Sequence, residues 1–143
     1  MCNNNDSGCI ADILNTINVL QDNAECRDSV LDTCDRGFLG CNATTLACNT
    51  RPVMLYTCCG NGTPWSMPTT KEDVTCGDPG VTCSNVFRVE KIDGNCCTFR
   101  VLAPNPDAGD TGLPYIATNS FFTMNLSCCC AVRCLNDTYV ECI

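Results

Sequence analysis

A chain of 143 residues with seventeen cysteines, no histidine and a formal charge of −8 has much chemistry closed to it. Its acidic balance (isoelectric point about 4.2) repels phosphate backbones and anionic bilayers, so neither nucleic acid nor membrane is an expected partner. The missing imidazole removes Ser-His and Cys-His catalytic pairs and the commonest partner of cysteine at zinc. The length suffices for one domain with a real core, so sulfur is not needed merely to make the chain fold. Seventeen is also odd, so one chain cannot pair all its thiols with itself, and bonds that leave the molecule are expected.

In chain order, the first element is a helix over 8–22. Ile10, Ile13, Leu14, Ile17 and Leu20 make one apolar stripe, with Asp12, Asn15, Asn18 and Gln21 on other faces. Asp6 and Ser7 are the candidate N-caps. Residues 23–50 carry Cys26, Cys34, Cys41 and Cys48 among Asn, Asp, Thr and Gly without periodicity, and read as a cysteine-rich loop region. From residue 51 the period becomes two. A strand over 51–58 ends in a Gly60-Asn61-Gly62 turn.

Residues 86–92 and 96–102 form a hairpin. A three-residue loop over Asp93-Gly94-Asn95 sorts its faces best, with Phe87 opposite Val101, Val89 opposite Phe99, Lys91 opposite Cys97, and Asn95 left-handed. Residues 103–114 read as an exposed loop. The longest strand signal runs over 121–135: Phe122, Met124, Leu126, Cys128, Cys130, Val132 and Cys134 share the core face, and Thr123, Asn125, Ser127, Cys129 and Arg133 the other. Asn136-Asp137 turns the chain into a final edge strand over 138–143. The sum is one domain over 1–143, mainly β: an antiparallel β-sandwich or barrel-like domain over 51–143, behind one N-terminal α-helix.

The cysteines divide by place. Neighbours on a strand point to opposite faces, so Cys58-Cys59, Cys96-Cys97 and Cys128-Cys129-Cys130 each send sulfur both inward and outward. The inward set is Cys97, Cys128, Cys130 and Cys134, as intradomain bridges or small buried hydrophobes. The outward set is Cys96, Cys129 and one of Cys58 and Cys59. Cys2, Cys9, Cys26, Cys34, Cys41 and Cys48 lie in the polar first third. With Cys96 and Cys129 they are the candidates for intermolecular disulfides.

No Cys-x2-Cys pair marks a zinc, iron–sulfur or redox site, and carboxylates such as Glu72 and Asp73 sit in a polar loop. No metal, cofactor or catalytic residue is expected. The first residues lack the basic cluster and apolar run of a secretory signal, yet cysteine usage calls for an oxidising place. Either the chain starts at a processed end, or it is made in a reducing cytosol without a signal peptide and oxidised later.

Four blocks carry a resemblance: SGCIADILNTINVLQD at 7–22, NTRPVMLYT at 49–57, TCSNVFRVEKIDGNCCTFRVL at 82–102 and MNLSCCCAVRCL at 124–135. In order and spacing they resemble the spore coat protein Y/Z and exosporium protein Y family of Bacillus-type endospores. By that resemblance Cys9, Cys83, Cys97, Cys128, Cys130 and Cys134 fall on the family's cysteine positions, and Cys83 joins the intradomain set. Cys58, Cys59, Cys96 and Cys129 look extra. The resemblance implies a non-enzymatic structural protein, synthesised in the mother-cell cytoplasm, that self-assembles with itself into a hexamer-based, disulfide-hardened lattice of the spore coat or exosporium. Other coat and exosporium proteins are its expected neighbours. The competing readings are a secreted cysteine-rich binding or surface module with internal disulfides, and a thiolate metal-binding protein.

Overall fold

The computed structural model describes residues 8–22, 48–141 and 143. Helix α1 spans Gly8–Asp22, as its spacing predicts, and buries Leu14, Ile17 and Gln21. Gln21 corrects the expected outer-face placement. It continues the Leu14–Ile17 row by one further turn, and both ends of its amide are bonded there: Nε2 donates to the Val89 carbonyl (2.7 Å) and Oε1 accepts from the Arg51 amide (3.0 Å). A buried amide with both ends bonded docks the helix in one register. The candidate caps Asp6 and Ser7 lie outside the described residues.

Strands β1 (Val53–Thr57), β4 (Val86–Asp93), β5 (Cys96–Pro104), β6 (Tyr115–Asn125) and β7 (Cys129–Cys134) form an antiparallel sheet in the order β6-β5-β4-β1-β7. Strands β2 (Met67–Pro68) and β3 (Cys83–Ser84) pair separately. The fold is thus mainly β with one N-terminal helix and an open, sandwich-like sheet. Strands β6 and β7 lie on opposite edges, yet only three residues, Leu126–Cys128, join them through a 3-10 turn. Five flat strands place their edges about 19 Å apart, whereas four residue steps reach about 14 Å at most. The sheet must therefore curl. The chain bends at this turn and crosses from the β4-β5-β6 layer to the β1-β7 layer, which makes the curled sheet sandwich-like.

Between the layers lies the core: Val53, Leu55, Phe87, Val89, Phe99 and Val101 are fully buried. Phe122 packs edge-on to Phe87 (4.8 Å between centroids) and stacks on Phe99 (5.3 Å). Such ring pairs add roughly 0.5–1.5 kcal/mol beyond the area they bury.

The hairpin keeps the expected pairs Phe87–Val101 and Val89–Phe99, and then departs. A bulge between Val89 and Lys91 shifts the register, so that Ile92 faces Cys97 and Asp93 faces Cys96 across a two-residue loop. The left-handed residue is Gly94 (φ 59°), not Asn95, because Gly has no Cβ to clash there. The bulge has an electrostatic role. Arg88 and Arg100 are directly opposed, a pairing of like charges that destabilises a sheet. Displaced Glu90 lies between them, with one carboxylate oxygen accepting from both guanidinium groups (2.8 and 3.0 Å).

Three further expectations are corrected. The expected loop over 103–114 is partly ordered: β5 runs to Pro104 and a short helix, α2 (Ala108–Thr111), ends at left-handed Gly112 (φ 73°). Strand β6 starts at Tyr115 rather than 121. After β7 there is an isolated Thr50–Thr138 bridge instead of an edge strand over 138–143. The Asn49 amide holds that segment by bonding both the N–H and the carbonyl of Val140 (2.9 Å each). Arg51 and Asp137 lock it further with a two-pronged ion pair (2.8 and 3.0 Å), both side chains 2% exposed.

Candidate functional site at the strand bend

The bend at 126–128 starts where Asn125 interrupts the ladder. Its Oδ1 accepts from the Ser127 amide (3.1 Å) and the Ser127 hydroxyl (2.8 Å), the local bond by which Asn turns a chain. Neighbouring strands then anchor on both sides. Cys96 lies opposite Asn125, and the Leu126 amide donates to the Asn95 carbonyl (2.8 Å). On the other side Thr57 pairs with Cys129, and the Cys58 amide donates to the Cys128 carbonyl (3.4 Å). One corner thereby collects Cys58, Cys59, Cys96, Cys97, Cys128, Cys129 and Cys130. Strand spacing and the rise of a 3-10 turn keep the Cys96 and Cys128 backbones within about 12 Å.

The sulfurs at this corner fall into three states. Cys58 and Cys130 form a disulfide (Cα separation 5.5 Å), with Cys130 exposed. Cys59, Cys96 and Cys128 are free and exposed. Cys97 and Cys129 are free and buried. Burial pushes the Cys97 thiol up to about 12, helped by the nearby Cys129 sulfur, and burial also raises Cys129. Beside them lies a largely apolar cleft of about 470 Å³, onto which Cys59, Cys128, Trp65, Met67 and Phe122 open.

Alternation thus holds in each run of adjacent cysteines, but the triplet has the opposite parity to the expected one. The 3-10 turn moves Cys128 out and Cys129 in, and the irregularity where Tyr56 and Thr57 pair restores the expected phase at Val132 and Cys134. Cys129, expected at an intermolecular contact, is 6% exposed, and Cys128, expected in the core, faces solvent. Cys48, also expected at a contact, is 5% exposed. Cys9 is free and exposed on α1, and Cys96 is free and exposed at the start of β5. Among the intradomain candidates, Cys83 is bonded to Cys76 (Cα separation 6.0 Å), Cys130 to Cys58, Cys134 is disulfide-bonded, and Cys97 is buried. Cys2, Cys26, Cys34 and Cys41 lie outside the described residues. Alternation alone does not decide which of Cys58 and Cys59 faces outward, and the free, exposed member is Cys59. Its position two residues past the end of β1, just before Gly60–Gly62, was the available signal.

Only deprotonated, accessible sulfur reacts. At about pH 8 a thiol of pKa about 12 is ionised to the order of one part in ten thousand. Iodoacetamide should therefore modify Cys9, Cys59, Cys96 and Cys128 in the native protein and reach Cys97 and Cys129 only after denaturant is added. Peptide mass mapping reads the result, and equal labelling of Cys97 without denaturant would refute the buried assignment.

Among the described residues no group of three or more Cys, Asp or Glu side chains is placed to hold a metal ion. No helix among them is long and apolar enough to cross a membrane. Comparison with curated proteins and with solved structures finds no match. The family model described as spore coat protein Z matches residues 1–115.

Proposed function

This chain belongs to the spore coat protein Z family, and from that premise we propose that it is a non-enzymatic building block that assembles with copies of itself into an ordered, disulfide-cross-linked layer of the spore coat or exosporium. The observation that carries the reading is the set of exposed free thiols, Cys9, Cys59, Cys96 and Cys128, on a subunit that already holds internal bridges. Idle surface thiols are a liability to a soluble monomer, whereas between packed copies they form joints.

Assembly starts in the mother-cell cytoplasm while these thiols are reduced, and repeated subunit contacts bring them into register. Oxidation follows when lysis exposes the layer, and neighbouring coat and exosporium proteins join through the same chemistry. A subunit held by several disulfides leaves only when all are broken together, which gives persistence in time rather than equilibrium stability alone. Hexagonal order is the form carried over from the family resemblance. A secreted module closed by internal disulfides would bring its exposed thiols into internal bridges, and four remain free among the described residues.

Non-reducing electrophoresis and negative-stain imaging of the air-oxidised protein test the reading. Ladders or material too large to enter the gel, imaged as ordered sheets and reduced to one band by heat and thiol, are the expected result. A single monomeric band without reductant would overturn it.

A further inference from the structure

The bend holds one bond set apart from the other internal disulfide whose partners are described. Cys58–Cys130 is flanked in sequence by free, exposed Cys59 next to Cys58, and by free, exposed Cys128 two residues before Cys130. Cys128 also lies across the ladder from Cys58, joined through the backbone. Cys130 itself is solvent-exposed, while Cys58 is half-buried. No cysteine adjoins either half of the Cys76–Cys83 bridge in the chain.

From this we infer that Cys58–Cys130 is a thiol–disulfide exchange site, a bond the subunit carries into assembly and hands over to a thiol of a second copy of this chain. In the exchange, a thiol of the second copy loses its proton to solvent and its thiolate attacks the exposed Cys130 Sγ. The new intermolecular S–S bond forms as the Cys58–Cys130 bond breaks. Cys58 leaves with the electron pair as a thiolate and takes a proton from water. One disulfide is consumed and one is made, so the electrons balance without oxidant. The buried thiols stay out of the exchange, which limits attack to exposed sulfur. Within a packed layer the high local concentration of neighbouring thiols drives the transfer forward.

The inference rests on the proposed cross-linked assembly and deepens it: once the internal bridge has been oxidised, joints between copies form from it without further oxidant. The test uses protein with its internal disulfides intact, held without oxygen and with a metal chelator. Expected are intermolecular cross-links with no change in total free thiol, and peptide maps in which Cys130 is joined to another copy while Cys58 has become open to alkylation. The double variant Cys58→Ser/Cys130→Ser should lose anaerobic cross-links by about tenfold or more, while keeping those formed in air through the other exposed thiols.

A second arm uses the unaltered protein and reduced glutathione as the probe, and so does not depend on how the variant folds. It should yield a glutathione adduct on Cys130 with Cys58 released. Cross-links that form in air but not without oxygen would overturn the exchange and leave the assembly standing. Absence of both would end both. Anaerobic cross-links undiminished in the double variant, or glutathione found only on Cys76 or Cys83, would also overturn it.

Discussion

Asp137→Asn should cost the folded protein about 3–5 kcal/mol, because it removes the carboxylate charge that the buried Arg51 guanidinium meets through two bonds. Both side chains are 2% exposed and meet through two bonds, so water cannot replace the lost partner. The loss is a large part of the roughly 5–15 kcal/mol that separates a folded domain from its unfolded chain. It should appear as a much lower urea midpoint in protein whose exposed thiols have first been capped with iodoacetamide, so that cross-linking does not intrude. The double change Arg51→Met/Asp137→Leu removes both charges and should recover most of the stability, since buried pairs are often replaceable by apolar residues of similar size. A single variant within about 1 kcal/mol of the parent would show that the pair is dispensable. The pair closes the chain after β7 onto Arg51, two residues before β1, and Gln21 bonds the backbone of that same Arg51. Loosening of α1 should therefore accompany the loss.

Phe99→Ala should cost a similar amount, about 3–5 kcal/mol, through lost burial and the cavity left behind. Phe99 is fully buried and sits opposite Val89 on one side and Phe122 on the other. Its ring lies 5.3 Å from that of Phe122 and 6.2 Å from that of Phe87. Phe121, the next residue along β6, is 46% exposed and lies under the Arg100 guanidinium at 4.5 Å. Phe121→Ala should cost no more than about 1 kcal/mol, the usual worth of an exposed cation–π contact. Equal midpoints for the two variants would mean that the aromatic core does not hold the layers together.

Helix α1 and the upper half of the hairpin were legible because each rests on one short-range period and one set of apolar faces. Leu14 and Ile17 follow the helical repeat, and Phe87, Val89, Phe99 and Val101 follow the alternating one. The bend at 126–128 was not legible as a break. Met124 to Cys134 alternates well enough to read as one strand, and a change of layer is a property of the sheet rather than of the segment. The local warning was Asn125 two residues before Ser127, a pair that bonds itself into a turn. A three-residue turn is enough to reverse the parity of Cys128 and Cys129, so the candidate contact residues were most exposed to this error. Glu90 was missed for a related reason: its bulge is favoured by Arg88 and Arg100 facing each other, a conflict visible only once the strands are paired. Gln21 looked like surface because it is polar, although its spacing from Ile17 placed it on the buried row.

The Cys58–Cys130 bridge spans 72 residues of chain. Closing a loop of that size restricts the unfolded chain by about 4 kcal/mol in the chain-entropy view. A thiol strong enough to reduce the subunit's exposed Cys130 also opens that loop, so protein prepared under strong reductant is softer than protein that keeps the bridge. Protein handled with strong reductant thus lacks this internal tie, and re-forming it is the first step in returning the subunit to its starting state.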